Sequence, residues 1–269
     1  MTKNYLGIDV GGSKIIGVVV DAKFKSVSEI FRAETPRSRP ALVALLLACV
    51  SKIRLRYRLY GIGIGVPGMV DPRSGRLLKA PNLPFLNGWD IWRDFKRFDL
   101  PVRVDNDNRC FVRAEWRLGA GRGHQNIVGL GIGTGIGGGI VIDGKMYSGA
   151  TNTAGEFGHM TIEATSVRSR RPSTLENLGA KKAFLKYGDR NKMIGSGVAS
   201  IINAFDPEIV ILGGGAVAEA NILPRAVARF ARPLIIPPRA KRTPIIAGKL
   251  GPIAQAIGAA LLLNPKNRV

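Results

Sequence analysis

Asp107 stands in the run Val104-Asp105-Asn106-Asp107-Asn108, where residues 100–104 form a short apolar segment with strand character. A carboxylate at a strand end can take a proton from a hydroxyl. Transfer of a phosphoryl group to that hydroxyl needs such an acceptor within hydrogen-bonding reach. Further along the chain comes Leu130-Gly131-Ile132-Gly133-Thr134-Gly135-Ile136-Gly137-Gly138-Gly139. Phosphate is bound well where several backbone N–H groups point at it and no side chain blocks the approach. Gly133, Thr134 and Gly135 offer that geometry. A second such loop, Asp9-Val10-Gly11-Gly12-Ser13-Lys14, lies near the amino end. There Gly11 and Gly12 leave room, Ser13 adds a hydroxyl donor and Lys14 a positive charge. Asp9, just ahead of the loop, is placed to hold Mg²⁺ through water, since Mg²⁺ keeps much of its hydration shell. Either loop alone would pass for an ordinary turn. Two of them with a strand-terminal Asn-Asp between are hard to explain that way, and they suggest a kinase with its active site in an interdomain cleft.

The alternative reading of Asp107 is a helix N-cap, because a helical pattern follows at residues 108–118. Asn106 and Asn108 already offer caps, so proton acceptance is the favoured role. Neither loop is a Walker loop, since GxxxxGK[ST] is missing, and the P-loop class is disfavoured.

The elements that must position these residues read as alternating strands and helices. Residues 5–9 and 14–20 are β-rich and joined through Gly11-Gly12 as a hairpin. In residues 40–59, Leu42, Leu45, Leu46, Val50 and Ile53 recur at helical spacing. Residues 61–66 form an apolar strand stopped by Pro67-Gly68. Residues 127–132 and 139–143 make a second strand–turn–strand unit, with the glycine loop as its turn. Residues 208–212 form a buried strand running into Gly213-Gly214-Gly215, and residues 254–263 a small-residue helix. The pattern of a glycine-turn hairpin followed by βα units occurs twice. It predicts a duplicated α/β fold, with a first lobe over 1–107 and a second over 108–251. The closing helix, 252–269, would return to the first lobe.

Composition sets the outer bounds. The chain has 269 residues, 45% of them hydrophobic, enough for a large globular core. Two cysteines, Cys49 and Cys110, exclude a disulfide scaffold and a four-cysteine zinc site. No secretory signal or membrane-spanning run is read, so a cytoplasmic protein is expected. The net charge of +21 attracts polyanions. No helix-turn-helix, zinc finger or aromatic–basic RNA motif accompanies it, and the basic residues are scattered, so no specific nucleic-acid partner is expected. A generally basic proteome is the plainer source of the charge.

Taken together, these segments resemble the ROK family (repressors, open reading frames and sugar kinases) of the hexokinase–actin-like superfamily. The matching runs are Asp9 to Lys14, Gly63-Ile64-Gly65-Val66-Pro67-Gly68, Ala80-Pro81-Asn82-Leu83, Val104 to Asn108, Leu130 to Gly139 and Gly155-Glu156-Phe157-Gly158-His159-Met160. They come in family order. The resemblance implies an actin-like ATPase (ribonuclease H-like) fold of two lobes with a cleft. It also implies transfer of phosphate from ATP to a hexose hydroxyl, with glucose at the 6-hydroxyl as first choice. By the same resemblance Asp107 is the base and Asn106 its sugar-binding partner. Gly68 and Asn82 belong to loops that close on the sugar, while Glu156, His159 and Glu176 read its hydroxyls. Gly213, Gly214 and Gly215 would lie beside the adenosine. The family also implies a homodimer.

The departures are informative. Many ROK proteins carry a CxCGxxGC zinc loop after the histidine. Residues 164–174 here hold no cysteine, and Arg168-Ser169-Arg170-Arg171 stands in its place, so no structural zinc is expected. Some zinc-lacking relatives use inorganic polyphosphate. With the high charge, polyphosphate becomes an alternative donor, and Arg168, Arg170 and Arg171 are the residues to suspect. N-acetylhexosamines, mannose and fructose remain alternative acceptors. The family's repressors carry an amino-terminal winged helix, and with a phosphate loop beginning at Asp9 a DNA-binding repressor is not expected. A sugar sensor without catalysis would be expected to lose the base or a loop, and both are present.

Overall fold

An antiparallel hairpin carries the first glycine turn in this computed structural model, which describes residues 3–24, 27–163, 173–180 and 189–264. Strands β1 (Asn4–Val10) and β2 (Lys14–Asp21) pair from Asn4 opposite Asp21 to Val10 opposite Ile15. Strand β3 (Val27–Glu34) extends the sheet beyond β2, and β4 (Leu59–Val66) runs parallel to β1 on the other side. Helix α1 (Arg39–Arg54) connects β3 to β4. Strands β5 (Met69–Val70), β6 (Arg76–Lys79) and β7 (Trp89–Asp90) form a small side sheet, followed by the short helix α2 (Ile91–Phe95). Strand β8 (Val102–Asn106) then lies parallel to β4, completing the order β3-β2-β1-β4-β8. Helix α3 (Asp107–Leu118) begins at the next residue.

The period of two in β1 and β4 explains how this sheet is covered. Leu6, Ile8 and Val10 alternate with Gly7 and Asp9, and Ile62, Ile64 and Val66 with Gly63 and Gly65; the register sets Gly7 beside Gly63. The aliphatic set shares one core with Leu42, Leu46, Val50 and Ile53 of α1. On the other face the two glycines let the helix Ala254–Leu261 approach through Ala256, Ala259 and Ala260, and a Cβ at either glycine would collide with that helix's backbone. The small-residue composition of that helix is therefore a packing requirement.

A second sheet has the same layout. Strand β9 (Ile127–Ile132) is its centre, with β10 (Ile136–Ile142) and β11 (Lys145–Tyr147) antiparallel on one side. After the small pair β12 (Thr161–Glu163) and β13 (Ser173–Thr174), helix α4 (Leu175–Gly179) and helix α5 (Arg190–Phe205), strand β14 (Ile209–Gly213) runs parallel to β9. Helices α6 (Gly215–Ala218) and α7 (Pro224–Ala231) follow, then β15 (Ile245–Ala247) parallel to β14, and the helix Ala254–Leu261 is α8. The order β11-β10-β9-β14-β15 repeats that of the first sheet, strand for strand. The core here sets Ile194, Val198 and Ile202 of α5 and Val227 of α7 against Val128, Leu130 and Leu212.

This is a duplicated α/β fold. The chain divides into two compact units, Met1–Ala114 with Ile253–Val269, and Glu115–Pro252, so the division falls inside α3. Among the described residues no helix is long and apolar enough to cross a membrane.

Some expected boundaries move. The helix predicted over 40–59 ends at Arg54, because Leu59 is taken by β4, where it pairs with Asn4. Leu55, the first residue past the helix, is 87% exposed and has no core to bury against. Strand β10 begins at Ile136 instead of residue 139, which shortens the turn to Gly133–Gly135 and puts Gly137, Gly138 and Gly139 in the ladder. Glycine there is a matter of space: Gly138 faces the ring of Phe157, and a Cβ would strike it.

Candidate active site

In the first unit three parallel strands bring their carboxyl ends level. Asp9 pairs with Gly65, Gly65 with Asp105, and Val66 with Asn106. Carboxyl ends of parallel strands are where α/β sheets bind ligands. Asp9 is 8% exposed, and its Oδ1 has no hydrogen-bond partner. Burial pushes its carboxyl well above the usual range; the neighbouring charge of Asp107 pushes it further, and Lys14 acts against both. A buried carboxylate with an unpartnered oxygen beside a second acid is the donor set a hydrated divalent cation would neutralise, so the residues fit Mg²⁺. Among the described residues no group of three or more His, Cys, Asp or Glu could hold a metal. Mg²⁺, which typically takes one or two carboxylates with water and phosphate oxygens, needs no such cluster.

The loop after Asp9 is closed by Gly11 N–H donating to the Lys14 carbonyl at 3.0 Å, and Thr35 Oγ1 donates to the Gly11 carbonyl at 2.7 Å. A Cβ at Gly12 would meet nothing within 4 Å, so this point faces open space, as a phosphate cradle must.

Asn106 is more committed than the sequence indicated. Its Oδ1 accepts from the N–H groups of Asn108 at 2.9 Å and Arg109 at 3.2 Å, so Asn106 caps α3. Its Nδ2 donates to the Gly68 carbonyl at 3.1 Å, which leaves one N–H for a ligand. Gly68 itself sits at φ +130°, with the Lys79 carbonyl where a Cβ would go, so no other residue fits. Asp107, relieved of capping, is half-buried, and its Oδ1 accepts from the Asn108 backbone and side chain at 2.8 and 3.0 Å. Asn82 is exposed on the loop after β6, and Asn87 closes that loop by accepting from Ala80 N–H.

Behind Asp107 lies a group that sequence reasoning missed. Asp105 is 5% exposed and accepts from Arg113 Nη2 at 2.6 Å, with Arg109 Nε at 3.4 Å. The spacing of 105, 109 and 113 was the available signal, since it places both arginines on the side of α3 that follows the strand end. Glu115 was also missed. It is fully buried, and accepts from the N–H groups of Ala120, Lys249 and Leu250 at 2.8 to 3.0 Å.

In the second unit two glycine segments meet. Gly133 N–H donates to the Gly135 carbonyl at 2.9 Å, and a Cβ at Gly133 would meet nothing within 4 Å. Gly213 pairs with Gly131, and Gly214, at φ +88°, lies against the Ile132 backbone too closely for a Cβ. The predicted phosphate and adenosine loops are thus neighbours. Glu156 precedes and His159 ends a one-turn 3₁₀ helix, with His159 Nε2 at 4.0 Å from Glu156 Oε2. Burial raises the Glu156 carboxyl above its ordinary value; His159 lowers it, and Glu176 raises it again. Glu176 stands in the first turn of α4, and its Oε2 accepts from Ile136 N–H at 2.7 Å. Arg168, Arg170 and Arg171, with the stretch where a zinc loop would stand, lie outside the described residues. An open groove of about 650 Å³ in the first unit, lined by Ser74, Trp92, Lys96 and Arg103 among others, contains none of the predicted site residues.

Comparison with known proteins agrees with this fold. Residues 5–191 and 170–266 match the ROK family. The N-acetylgalactosamine kinase of Shewanella sp. strain ANA-3 is 31% identical over 264 residues, covering 81% of this chain and 84% of its own. A ROK family glucokinase from Streptomyces griseus, solved with glucose and AMPPNP, superposes with a TM-score of 0.82 at 26% identity, over 96% of this chain and 98% of that one. The inorganic polyphosphate/ATP-glucomannokinase of an Arthrobacter strain superposes with a TM-score of 0.75 at 26% identity, over 97% and 98%. With the duplicated sheets and the strand-end acids in place, the chain belongs to the ROK family and has the actin-like ATPase fold of that family's sugar kinases.

Proposed function

We propose that this ROK-family sugar kinase transfers the γ-phosphoryl group of ATP to a hexose, with glucose at the 6-hydroxyl as first choice. The observation that carries the reading is the pair of acids that meet at Gly65 in the first unit: Asp9 pairs with Gly65, and the Asp107 Cα lies 3.7 Å from where a Gly65 Cβ would stand. Asp107 takes the proton of the attacking hydroxyl while the sugar oxygen bonds to the γ-phosphorus and the bond to the ADP oxygen breaks. Asn106 sets the position of Asp107 by capping α3 and keeps one N–H for the sugar. Glu156, His159 and Glu176 read hexose hydroxyls. A carboxylate accepts from a hydroxyl at either oxygen, so a row of acids can distinguish how hydroxyls are arranged.

The donor phosphates are received by the backbone of Gly11 and Gly12 with Ser13 and Lys14, and by Gly133, Thr134 and Gly135; Gly213, Gly214 and Gly215 take the nucleoside end. Asp9 would hold Mg²⁺ through water, and the ion, when bound, supplies charge neutralisation on the phosphates. Two further readings have specific support. An N-acetylhexosamine acceptor is favoured by the Shewanella relative. Polyphosphate as a second donor is favoured by the Arthrobacter likeness and the net charge of +21. A cytoplasmic homodimer is part of the same proposal and rests on the family resemblance.

The test is a coupled assay of the purified protein with Mg²⁺ and ATP against glucose, mannose, fructose and the N-acetylhexosamines, with a parallel arm supplying polyphosphate in place of ATP at low salt. Turnover of glucose supports the first choice. Turnover of only an N-acetylated sugar moves the acceptor, and no turnover of any sugar with either donor refutes the kinase reading. Product in the polyphosphate arm that fades as salt rises supports the second donor, because screening shortens to about 8 Å at 0.15 M ionic strength.

A further inference from the structure

The second unit joins its sugar-reading acids to its donor loop through one residue, Ile136. The loop Gly133–Gly135 ends where Ile136 begins β10, and Ile136 N–H donates to Glu176 Oε2 at 2.7 Å. The Ile136 carbonyl lies directly beneath Gly158, between Phe157 and His159, with no space for a Cβ. Its side chain is 4% exposed, and its Cδ1 faces Gly179 at the end of α4. One buried residue is therefore packed against the Glu156–His159 turn at its carbonyl, hydrogen-bonded by Glu176 at its N–H and packed against α4 at its side chain. Its preceding neighbour is the loop that must close on phosphate.

We propose that Glu176 is a positioning residue that couples hexose binding to the donor loop, in addition to its role as a hexose ligand. The inference rests on that reading of Glu176. One carboxylate oxygen holds Ile136 N–H and the other accepts from a sugar hydroxyl. A bound hydroxyl fixes the carboxylate, and with it the first amide after Gly133-Thr134-Gly135. The loop then needs less ordering when the donor arrives, which is positive coupling between two ligands without any new contact to the donor. Linkage requires the effect to be reciprocal: the donor must strengthen sugar binding by the same factor. Without sugar the loop is less ordered, which also disfavours wasteful transfer of phosphate to water.

The experiment uses the full chain and two readouts. Calorimetry gives the affinity of a non-hydrolysable ATP analogue with Mg²⁺, in the absence and presence of saturating hexose, the hexose being whichever gives a binding heat on its own. Hydrogen exchange followed by mass spectrometry gives the protection of peptides spanning residues 130–140 with hexose alone. The expected wild-type result is about a tenfold gain in analogue affinity, within the roughly 5–150-fold span of coupled sites, and slower exchange across residues 133–136. Glu176→Asp withdraws the carboxylate by one methylene and should bring the coupling factor close to one at saturating hexose. A residue that only stabilised the fold would change both affinities and leave their ratio alone. Gly158→Ala, which disturbs the Ile136 carbonyl and removes no sugar ligand, should also reduce the ratio. If the variants fail to fold or to bind sugar, the wild-type exchange decides. Hexose that binds without slowing exchange at 133–136, or a ratio kept in folded Glu176→Asp, overturns the proposal. If no hexose binds the wild type at all, the sugar-kinase reading fails, and this inference with it.

Discussion

Replacing Asp9 with asparagine should make the ligand-free protein more stable while removing its activity. In the folded chain Asp9 is 8% exposed, its Oδ1 has no hydrogen-bond partner, and Asp107 adds a like charge. Its folded pKa is raised well above 3.8. A group raised in this way contributes stability that is fully present below the unfolded value and lost as pH rises through the folded one. Above that window the wild type bears a buried, unpaired carboxylate, and the variant does not. The amide of the variant is unpartnered too, so the gain is the extra cost of burying a charge; an unpartnered buried polar group costs about 1–3 kcal/mol and a charged one more, and the same span serves for the difference. At about 2–4 °C per kcal/mol for a domain of this size, Asp9→Asn should melt roughly 2–12 °C higher at neutral pH. The assay is thermal unfolding by circular dichroism from pH 4 upward, without nucleotide or divalent ions. The two melting curves should converge at the acid end and separate as pH rises. Added Mg²⁺ with ATP should stabilise the wild type and leave the variant nearly unchanged. An Asp9→Asn protein that melts below wild type at neutral pH would refute the reasoning, because the carboxylate would then be satisfied by partners the account does not contain.

Gly63→Ala should destabilise the protein by about 1–3 kcal/mol or prevent folding, since its Cβ would meet the Ala259 carbonyl of α8; chemical denaturation against wild type measures it. On the proposed role of Glu156 as a sugar ligand, its ionised form accepts hydroxyls at both oxygens and its pKa is raised above 4.5, so KM for the sugar should rise as pH falls through that raised value, and Glu156→Gln should flatten the profile. Elemental analysis should find no stoichiometric zinc, and a chelator should not unfold the protein, because residues 164–174 offer no cysteine.

How legible the chain was depends on what kind of contact each residue makes. Strands β1, β2, β4, β9 and β14 were readable because each is a short aliphatic run with glycine or proline close to at least one end. The small-residue helix α8 was visible, yet its reason was not. Gly7 and Gly63 look like weak strand positions until the register places them side by side beneath Ala256 and Ala259. Strands β3 and β15 and the side sheet β5-β6-β7 went unread, because two- to four-residue strands and charged edge strands carry little periodicity. Of the proposed site, the location of the glycine loops between paired strands and of Asp107 just past a strand end was legible from spacing. The cap made by Asn106, the pairing of Asp105 with Arg113 and the grip of Glu176 on Ile136 were not. Each is a contact chosen by tertiary geometry among several partners the residue types allow. Glu115 is the clearest case, since its three N–H donors include Lys249 and Leu250, far away in the chain.

The central claim, that Asp107 accepts the proton of the attacking hydroxyl, is tested most directly by single-turnover kinetics and hexose calorimetry on Asp107→Asn. Asparagine keeps the Oδ1 that accepts from Asn108 N–H, and α3 remains capped by Asn106, so the fold and the sugar affinity should stay close to wild type. The chemical step should slow by about 10²–10⁴-fold, the usual contribution of a general base. A folded Asp107→Asn protein that binds hexose and turns it over at near the wild-type rate would contradict the account.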